Sequence, residues 1–149
     1  MSLPAQDLAD LQQLASRYWA LADLTEDAAL ADLFLPDAVF DLGALRLEGL
    51  PAIEDFFAQR AETMRQASRT TRHLATNFLA VQETPHRVRV RSTVAVYAAN
   101  GELPLTADLP SGIADFEDVC VRSENGRWLY QRRSARTVFV GPNAASFAR

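Results

Sequence analysis

The sequence predicts an α+β fold in which a cone-shaped, curved sheet of mixed or antiparallel strands carries three N-terminal helices packed on its concave face. Three observations predict it. Apolar residues recur at helical spacing in most of the N-terminal part. From Thr71 nearly to the C terminus they alternate instead, as in strands. Asn125-Gly126 separates the last two alternating segments and favours a tight hairpin. Helices followed by paired strands indicate a helical layer on one face of a sheet.

The three predicted helices differ in how they begin and end. The first covers about residues 7–22, where leucine and tyrosine recur at helical intervals. Thr25 is expected to cap a second, shorter helix with Glu26 in its first turn. Pro36 is expected to end that helix, because the ring disfavours a helical residue before it. The third opens at Pro51, which suits the first helical position since its missing N–H would be unpaired there.

Strands account for most of the remaining chain. A short pair, 38–42 and 45–48, lies between the second and third helices. Four longer strands are predicted at about 71–82, 87–98, 112–123 and 127–140. Residues 99–111 carry two prolines and no period, and a loop of that length in a compact domain is expected to be a lid or disordered.

Composition narrows the function classes. The 149 residues carry a net charge of −4, and all fifteen cationic side chains are arginine. The absence of lysine excludes Schiff-base chemistry, a lysine general base and a phosphate loop with its lysine. Cys120 is the only cysteine, so there is no intrachain disulfide and too few thiols for a structural zinc site. We therefore expect neither a metal nor a cofactor.

Location and partners follow from the same counts. One domain over residues 1–149 is expected in the cytoplasm, because the first residues lack a secretion signal and no apolar run approaches the ~20 residues of a membrane span. Residues 1–62 hold twelve acids and three arginines, whereas 63–149 hold seven acids and twelve arginines. These halves are expected to face each other within the fold or across a homodimer, or higher homo-oligomer, formed through the sheet. The negative net charge makes nucleic acid a poor partner.

His73 is the most informative residue for function. On a two-residue period it shares a strand face with Ala75, Asn77, Leu79 and Val81. His73 and Asn77 are therefore expected to point into the interior, roughly 13 Å apart along the strand, where both could contact one ligand. Alternatively, His73 is a core residue whose ring is hydrogen-bonded to a neighbouring group, and Asn77 has a structural role without contacting a ligand.

The other candidates are acids and aromatics. Asp23 follows the first helix and Asp41 lies on the first strand, and each is either a site carboxylate or a solvated acid. Glu117 lies between apolar strand neighbours, on a solvated face or in a pocket. Tyr18 and Trp19 are core aromatics by default, although a buried tyrosine hydroxyl can donate a hydrogen bond to an oxyanion.

Four segments carry a family likeness. They are SRYWALADLTEDAALADLFLPDAVFDLG, EGLPAIEDFFAQR, TTRHLATNFLAV and FEDVCVRSENGRWLYQRR. Together these segments, over about residues 7–140, resemble the SnoaL-like branch of the nuclear transport factor 2-like superfamily, which has a cystatin-like fold. The resemblance implies that helices and sheet enclose a pocket inside the cone.

Within that superfamily the motifs are most similar to those of scytalone dehydratase-like proteins. The resemblance places their catalytic aspartate on Asp23 and their strand histidine, in RTTRHLATN, on His73. It implies that His73 acts as general acid or base, oriented by Asp23, in a syn elimination. The second histidine of those proteins has no counterpart here, and their water-polarising tyrosine falls near Leu42.

A partial likeness to ketosteroid isomerase adds further positions. It places an oxyanion tyrosine on Tyr18, an oxyanion acid near Asp118, and a base aspartate at Leu42, next to Asp41. The pocket acid of SnoaL-type cyclases would fall around residues 115–117. The expected substrate-binding residues are Tyr18, Trp19, Asp41, Asn77 and Glu117.

Two functions follow as hypotheses. The first is a cofactor-independent lyase or isomerase, a dehydratase-like proton shuttle acting on a small apolar, aromatic or polyketide-type molecule held in the cone. The alternative is a non-catalytic module that binds a hydrophobic ligand or forms an oligomer, like the small subunit of an oxygenase.

Overall fold

The computed structural model describes residues 2–107 and 109–145. The α-helices of this part are α1 (Ala5–Ala22) and α2 (Leu50–Gln66), and a 3₁₀ turn covers Leu30–Asp32. The strands are β1 (Phe34–Asp41), β2 (Arg46–Glu48), β3 (Arg69–Thr84), β4 (Arg87–Asn100), β5 (Gly112–Arg122) and β6 (Trp128–Val140). Among the described residues, no helix is long and apolar enough to cross a membrane.

The strands form one sheet in the order β2-β1-β6-β5-β4-β3. β1 lies parallel to β6, and the other neighbouring pairs are antiparallel. α1 packs against β3 and β6, while α2 packs against β1, β2 and β3. We call the sheet face that meets the helices the inner face. The prediction of an α+β fold with a mixed sheet is confirmed.

The core lies between the two helices and the inner face. Side chains at helical spacing are buried on α1 (Leu11, Leu14, Tyr18, Ala22) and on α2 (Ile53, Phe57, Met64). Even-numbered β4 side chains, including Val88, Val90 and Val94, are buried beneath them. Both buried faces are those that the helical and strand periods of the sequence predict.

The prediction of a second, shorter helix capped by Thr25 is wrong because of the way α1 ends. Leu24 has a φ of 57°, and its N–H bonds to the carbonyl of Leu21. The N–H of Thr25 bonds to the carbonyl of Ala20 at 2.9 Å. These bonds form a Schellman motif, which satisfies carbonyls at a helix C terminus. Thr25 therefore closes α1 instead of capping a new helix. Between α1 and β1 the only helical segment is the 3₁₀ turn.

Pro36 lies inside β1 and does not end a helix. The pairing of β1 with β6 is interrupted between Phe34 and Val39. A proline has no N–H to donate to a strand ladder, so it is tolerated where the ladder is broken.

A bulge in β3 overturns part of the predicted alternation. The pairing of β3 with β4 shifts between Thr76 and Leu79, and Asn77 has a φ of 55°. An extra residue moves every following side chain to the opposite face. His73 therefore stays on the inner face, whereas Leu79 and Val81 are exposed on the outer face.

Ion pairs join the acidic N-terminal part to the last two strands. Asp7 of α1, which is buried, accepts hydrogen bonds from Arg122 at 2.6 Å and from the Trp128 indole at 3.1 Å. Asp32 and Asp41 form similar pairs with Arg127 and Arg132. The two halves of opposite charge thus face each other within the fold.

Candidate functional site

A cavity of about 460 Å³ lies between the helices and the inner face of the sheet. Its walls are mostly apolar, with Trp19, Phe40, Leu42, Phe56, Phe57, Met64, Val94, Val96 and Phe116 among the lining side chains. His73 and Thr71 line it from β3, and Tyr18 lines it from α1. The volume falls in the range of small-molecule sites, which are commonly lined by apolar and aromatic side chains with a few polar groups.

The end of α1 positions Asp23. This residue directly follows the last helical residue, and the positive φ of Leu24 turns the chain away immediately after it. The backbone N–H of Asp23 still bonds to the carbonyl of Trp19 at 2.9 Å, so the residue is held against the helix end. Its carboxylate points across to β3.

The structure brings Asp23 and His73 together. Asp23 Oδ1 lies 2.6 Å from His73 Nδ1, and its Oδ2 accepts the backbone N–H of His73 at 2.9 Å. The Thr71 hydroxyl donates to Oδ1 at 2.8 Å. The two side chains are 8% and 15% exposed, so the pair is largely shielded from water.

These bonds determine the protonation of the pair. Burial acts to raise the pKa of Asp23, but the hydrogen bonds from His73 and Thr71 outweigh it and hold that pKa below its ordinary value. The carboxylate is therefore ionised and favours a proton on His73 Nδ1. Nε2 is then the nitrogen that can accept or donate a proton to a bound molecule.

Trp19 covers one face of the imidazole. The two rings stack with centroids 4.4 Å apart and an angle of 20° between their planes. Asp23 thus holds the edge of the His73 ring and Trp19 holds its face. Such support restricts the orientation of a catalytic side chain.

Tyr18 lines the cavity but lies deep in an aromatic cluster. Its ring makes edge contacts with Trp19 and Phe57, with centroids 4.7 and 5.8 Å away. Burial raises the pKa of the Tyr18 hydroxyl to about 12, although the Arg133 charge opposes the rise. The hydroxyl is therefore protonated near neutral pH and available as a hydrogen-bond donor.

A buried ion pair lies behind the cavity wall. Arg133 Nε bonds to Asp118 Oδ1 at 3.1 Å, with the two side chains 0% and 3% exposed. The guanidinium carbon lies over four rings, those of Tyr18, Trp19, Phe116 and Tyr130, at 4.0 to 4.9 Å from their centroids. Burial raises the pKa of Asp118 to about 6, although the charge and the hydrogen bond of Arg133 oppose the rise.

Asp41 lies outside the cavity. Its neighbours Phe40 and Leu42 line the cavity, so the alternation of β1 turns Asp41 to the other side. There it pairs with Arg46 at 3.1 Å and with Arg132 at 3.3 Å. The carboxylate fastens the β1–β2 turn and does not reach a ligand in the cavity.

Glu117 and Asn77 also lie outside the cavity. Glu117 is exposed on the outer face of β5, because Phe116 and Asp118 on either side of it point inward. Asn77 is exposed at the bulge of β3, where its positive φ breaks the alternation that began at His73. Of the five expected substrate-binding residues, only Tyr18 and Trp19 line the cavity.

The sequence analysis does not identify several polar residues that line the cavity, among them Thr71, Arg69 and Arg60. Thr71 and Arg69 lie two and four residues before His73, so continuing the alternation towards the N terminus would have found both. Arg60 of α2 also lines the cavity, and it carries no comparable signal. Nothing in the sequence distinguishes the buried Arg133 from Arg132 and Arg136 beside it, which are exposed.

The chain matches the family of SnoaL-like domains over residues 4–134. This match confirms the likeness that the four sequence segments carry. No curated protein sequence matches the chain.

Solved structures share the fold. A proposed scytalone dehydratase from Novosphingobium aromaticivorans superposes with a TM-score of 0.75 at 20% identity, covering 93% of this chain and 89% of that one. ActVI-ORFA from Streptomyces coelicolor gives a TM-score of 0.77 at 17% identity, covering 93% and 100%. A protein with a cystatin-like fold from Nostoc punctiforme gives 0.70 at 23% identity, covering 97% and 98%. These likenesses establish the fold, and activity has to be argued from the site.

Proposed function

We propose that this chain, which belongs to the SnoaL-like domain family, is a cofactor-independent lyase or isomerase that moves a proton on a small apolar, aromatic or polyketide-type substrate. The observation that carries the proposal is the Asp23–His73 pair, 2.6 Å apart at the wall of an apolar cavity. One of the structurally similar proteins is itself a proposed dehydratase.

In the dehydratase reaction His73 Nε2 removes a proton from a carbon next to a carbonyl group. The electron pair of that C–H bond forms a carbon–carbon double bond as the C–O bond of the neighbouring carbon breaks. The imidazolium returns the same proton to the departing oxygen, which leaves as water. Asp23 stabilises the imidazolium between the two transfers, as a carboxylate beside a catalytic histidine does.

The wall of the cavity suits an aromatic substrate. Several aromatic side chains are among its lining residues, and the aliphatic side chains of β4 complete an apolar wall next to His73. Such a wall excludes water from the proton transfer and strengthens the interaction of Asp23 with the imidazolium.

The test is the loss of water from a bicyclic β-hydroxy ketone, which yields a naphthol and is followed by absorbance. We expect the wild type to catalyse it and His73→Gln to lose at least about 100-fold in kcat. His86→Gln is the matched control, because His86 is exposed in the β3–β4 turn. Full activity in His73→Gln would overturn the proposal. Ligand binding without turnover by the wild type would favour the non-catalytic module.

We also propose that a second copy of the chain packs on the outer face of the sheet. Leu74 on β3 and Phe139 on β6 are 57% and 64% exposed, and both lie in the cross-strand row that contains Ala95 and Ile113. The paired variant Leu74→Asp/Phe139→Asp should shift the sedimentation coefficient from dimer to monomer. A wild type that sediments as a monomer at micromolar concentration would overturn this proposal.

A further inference from the structure

The charged side chains of the cavity wall are basic. Among the described lining residues, the basic side chains are Arg60, Arg69 and His73, and none is an aspartate or glutamate. Tyr18 adds no negative charge, because burial raises its pKa to about 12. Asp23 lies behind His73 and directs its carboxylate oxygens to His73 and Thr71. A ligand in the cavity therefore meets basic side chains, neutral polar side chains and apolar surface, and no carboxylate among the described lining residues.

Arg60 is a partly buried cation without a carboxylate partner among the described residues. Its Nη1 donates to the carbonyl of Ala22, next to Asp23, and no other hydrogen bond joins its guanidinium to the described residues. Burial lowers the pKa of Arg60 and the charge of Arg69 lowers it further, although the negative charge of Asp23 opposes the change without forming a direct ion pair. A partly desolvated charge without a direct ion pair is costly in a protein.

Arg69 brings a second guanidinium to the same end of the cavity. It lies on the inner face of β3, where the two-residue alternation aligns it with Thr71 and His73. Its donors bond to the carbonyl of Asn143 at 2.7 Å and to Asn100 Oδ1 at 3.3 Å. Both acceptors are neutral, so the charge of Arg69 is also left without an ion pair among the described residues.

We propose that the ligand of this cavity is an aromatic molecule bearing an anionic group, a carboxylate or equivalent, that pairs with Arg60 and Arg69. The guanidinium groups supply planar, charge-assisted donors for such a group. The aromatic body then lies against Trp19 and the apolar wall, with one carbon beside His73. This last placement rests on the proposed function, whereas the binding of the anion does not.

The test uses two fluorescent probes that differ by one sulfonate group, 1-anilinonaphthalene-8-sulfonate and N-phenyl-1-naphthylamine. We expect the wild type to bind the sulfonate at least about tenfold more tightly than the neutral probe, as for a hydrogen bond to a charged group. Arg60→Gln should reduce that preference, because only Arg69 remains to pair with the anion, and it should weaken binding of the sulfonate far more than binding of the neutral probe.

Arg65→Gln is the matched control, since Arg65 is an exposed arginine of the same helix that does not line the cavity. It should bind both probes like the wild type. Arg69→Gln provides an independent variant and should also reduce the preference for the sulfonate. Equal affinities of the wild type for the two probes, failure of the sulfonate to bind, or equal losses for both probes in Arg60→Gln would overturn the proposal. The probe titrations measure binding and involve no turnover. Their outcome is therefore independent of the kcat measured for His73→Gln.

Discussion

The indole of Trp19 lies nearly parallel to the imidazole of His73, with 4.4 Å between the ring centroids. α1 contributes Trp19 and, one turn later, Asp23, so a single helix end supports the imidazole on its face and on its edge. Two contacts from one element orient the ring more firmly than either alone, because each blocks a rotation that the other permits.

Replacing Trp19 by a smaller aliphatic residue tests this support. Trp19→Leu removes the stacked ring, and we expect kcat for the dehydration to fall by about tenfold to 100-fold as the imidazole loses its orientation. Trp19→Phe keeps an aromatic plane and should retain most of the activity. Steady-state kinetics with both variants provide the measurement. Equal activity of Trp19→Leu and the wild type would contradict the orienting role.

Asp23→Asn tests the carboxylate with little change in shape. The variant loses the ionised partner of His73 Nδ1, so we expect a fall in kcat of about 100-fold or more. Nitrogen-15 NMR of the imidazole should show that the proton is no longer confined to Nδ1, a readout that needs no substrate. Thr71→Val is the control, because it removes one hydrogen bond to the same carboxylate but keeps the Asp23–His73 contact. An unchanged tautomer in Asp23→Asn would contradict the assignment.

Strand alternation is the part of the site that the sequence predicts best. It places His73 on the inner face, and continued backwards it reaches Thr71 and Arg69. It also separates Asp41 from the cavity once Phe40 is assigned to the core. The rule requires unbroken pairing, and nothing in the local composition marks the bulge at Asn77, since asparagine also occurs in regular strands.

The helix end and the buried arginine could not be predicted from local patterns. A threonine followed by acids is a common N-cap signal. Here the backbone N–H of Thr25 instead donates a hydrogen bond to the carbonyl of Ala20 and closes α1. Arg133 resembles the exposed arginines around it in sequence. Its burial depends on Asp118 of the neighbouring strand and on rings from α1, and these contacts exist only after the fold forms.

Asn77 provides a prediction about the bulge. Its φ of 55° suits glycine and asparagine but disfavours other side chains. Asn77→Ala should lower the free energy of unfolding by about 1 kcal/mol, whereas Asn77→Gly should cost less. Neither variant should change the affinity for N-phenyl-1-naphthylamine, because residue 77 is exposed outside the cavity. Urea unfolding and fluorescence titration provide the measurements, and a loss of binding would place Asn77 in the site after all.

Breaking the Asp118–Arg133 pair should make the stability of the fold depend on pH. Arg133→Met leaves Asp118 buried without its cation, so its pKa should rise above the value of about 6 in the wild type. A carboxyl with a raised pKa binds its proton more tightly when folded, so this variant should lose stability as pH rises from about 4 to 7. At pH 7 we expect a loss of about 3 to 5 kcal/mol. The double variant Asp118→Leu/Arg133→Met should recover most of the lost stability, and its stability should not depend on pH over this range.

Asp7 predicts the opposite dependence on pH. Burial acts to raise its pKa, but the hydrogen bonds from Trp128 and Arg122 outweigh it and lower the pKa below the ordinary value of 3.8. A lowered pKa stabilises the fold wherever the unfolded carboxyl is ionised, and this contribution disappears as pH falls through the folded pKa. Asp7→Asn should therefore be less stable than the wild type by about 1.5 to 3 kcal/mol between pH 5 and 7, and the gap should close below pH 3.8. Asp10→Asn, at an exposed position of the same helix, is the control for thermal unfolding across this range. A gap that persists unchanged into acid would mean that α1 is held to the last hairpin by contacts other than the charge of Asp7.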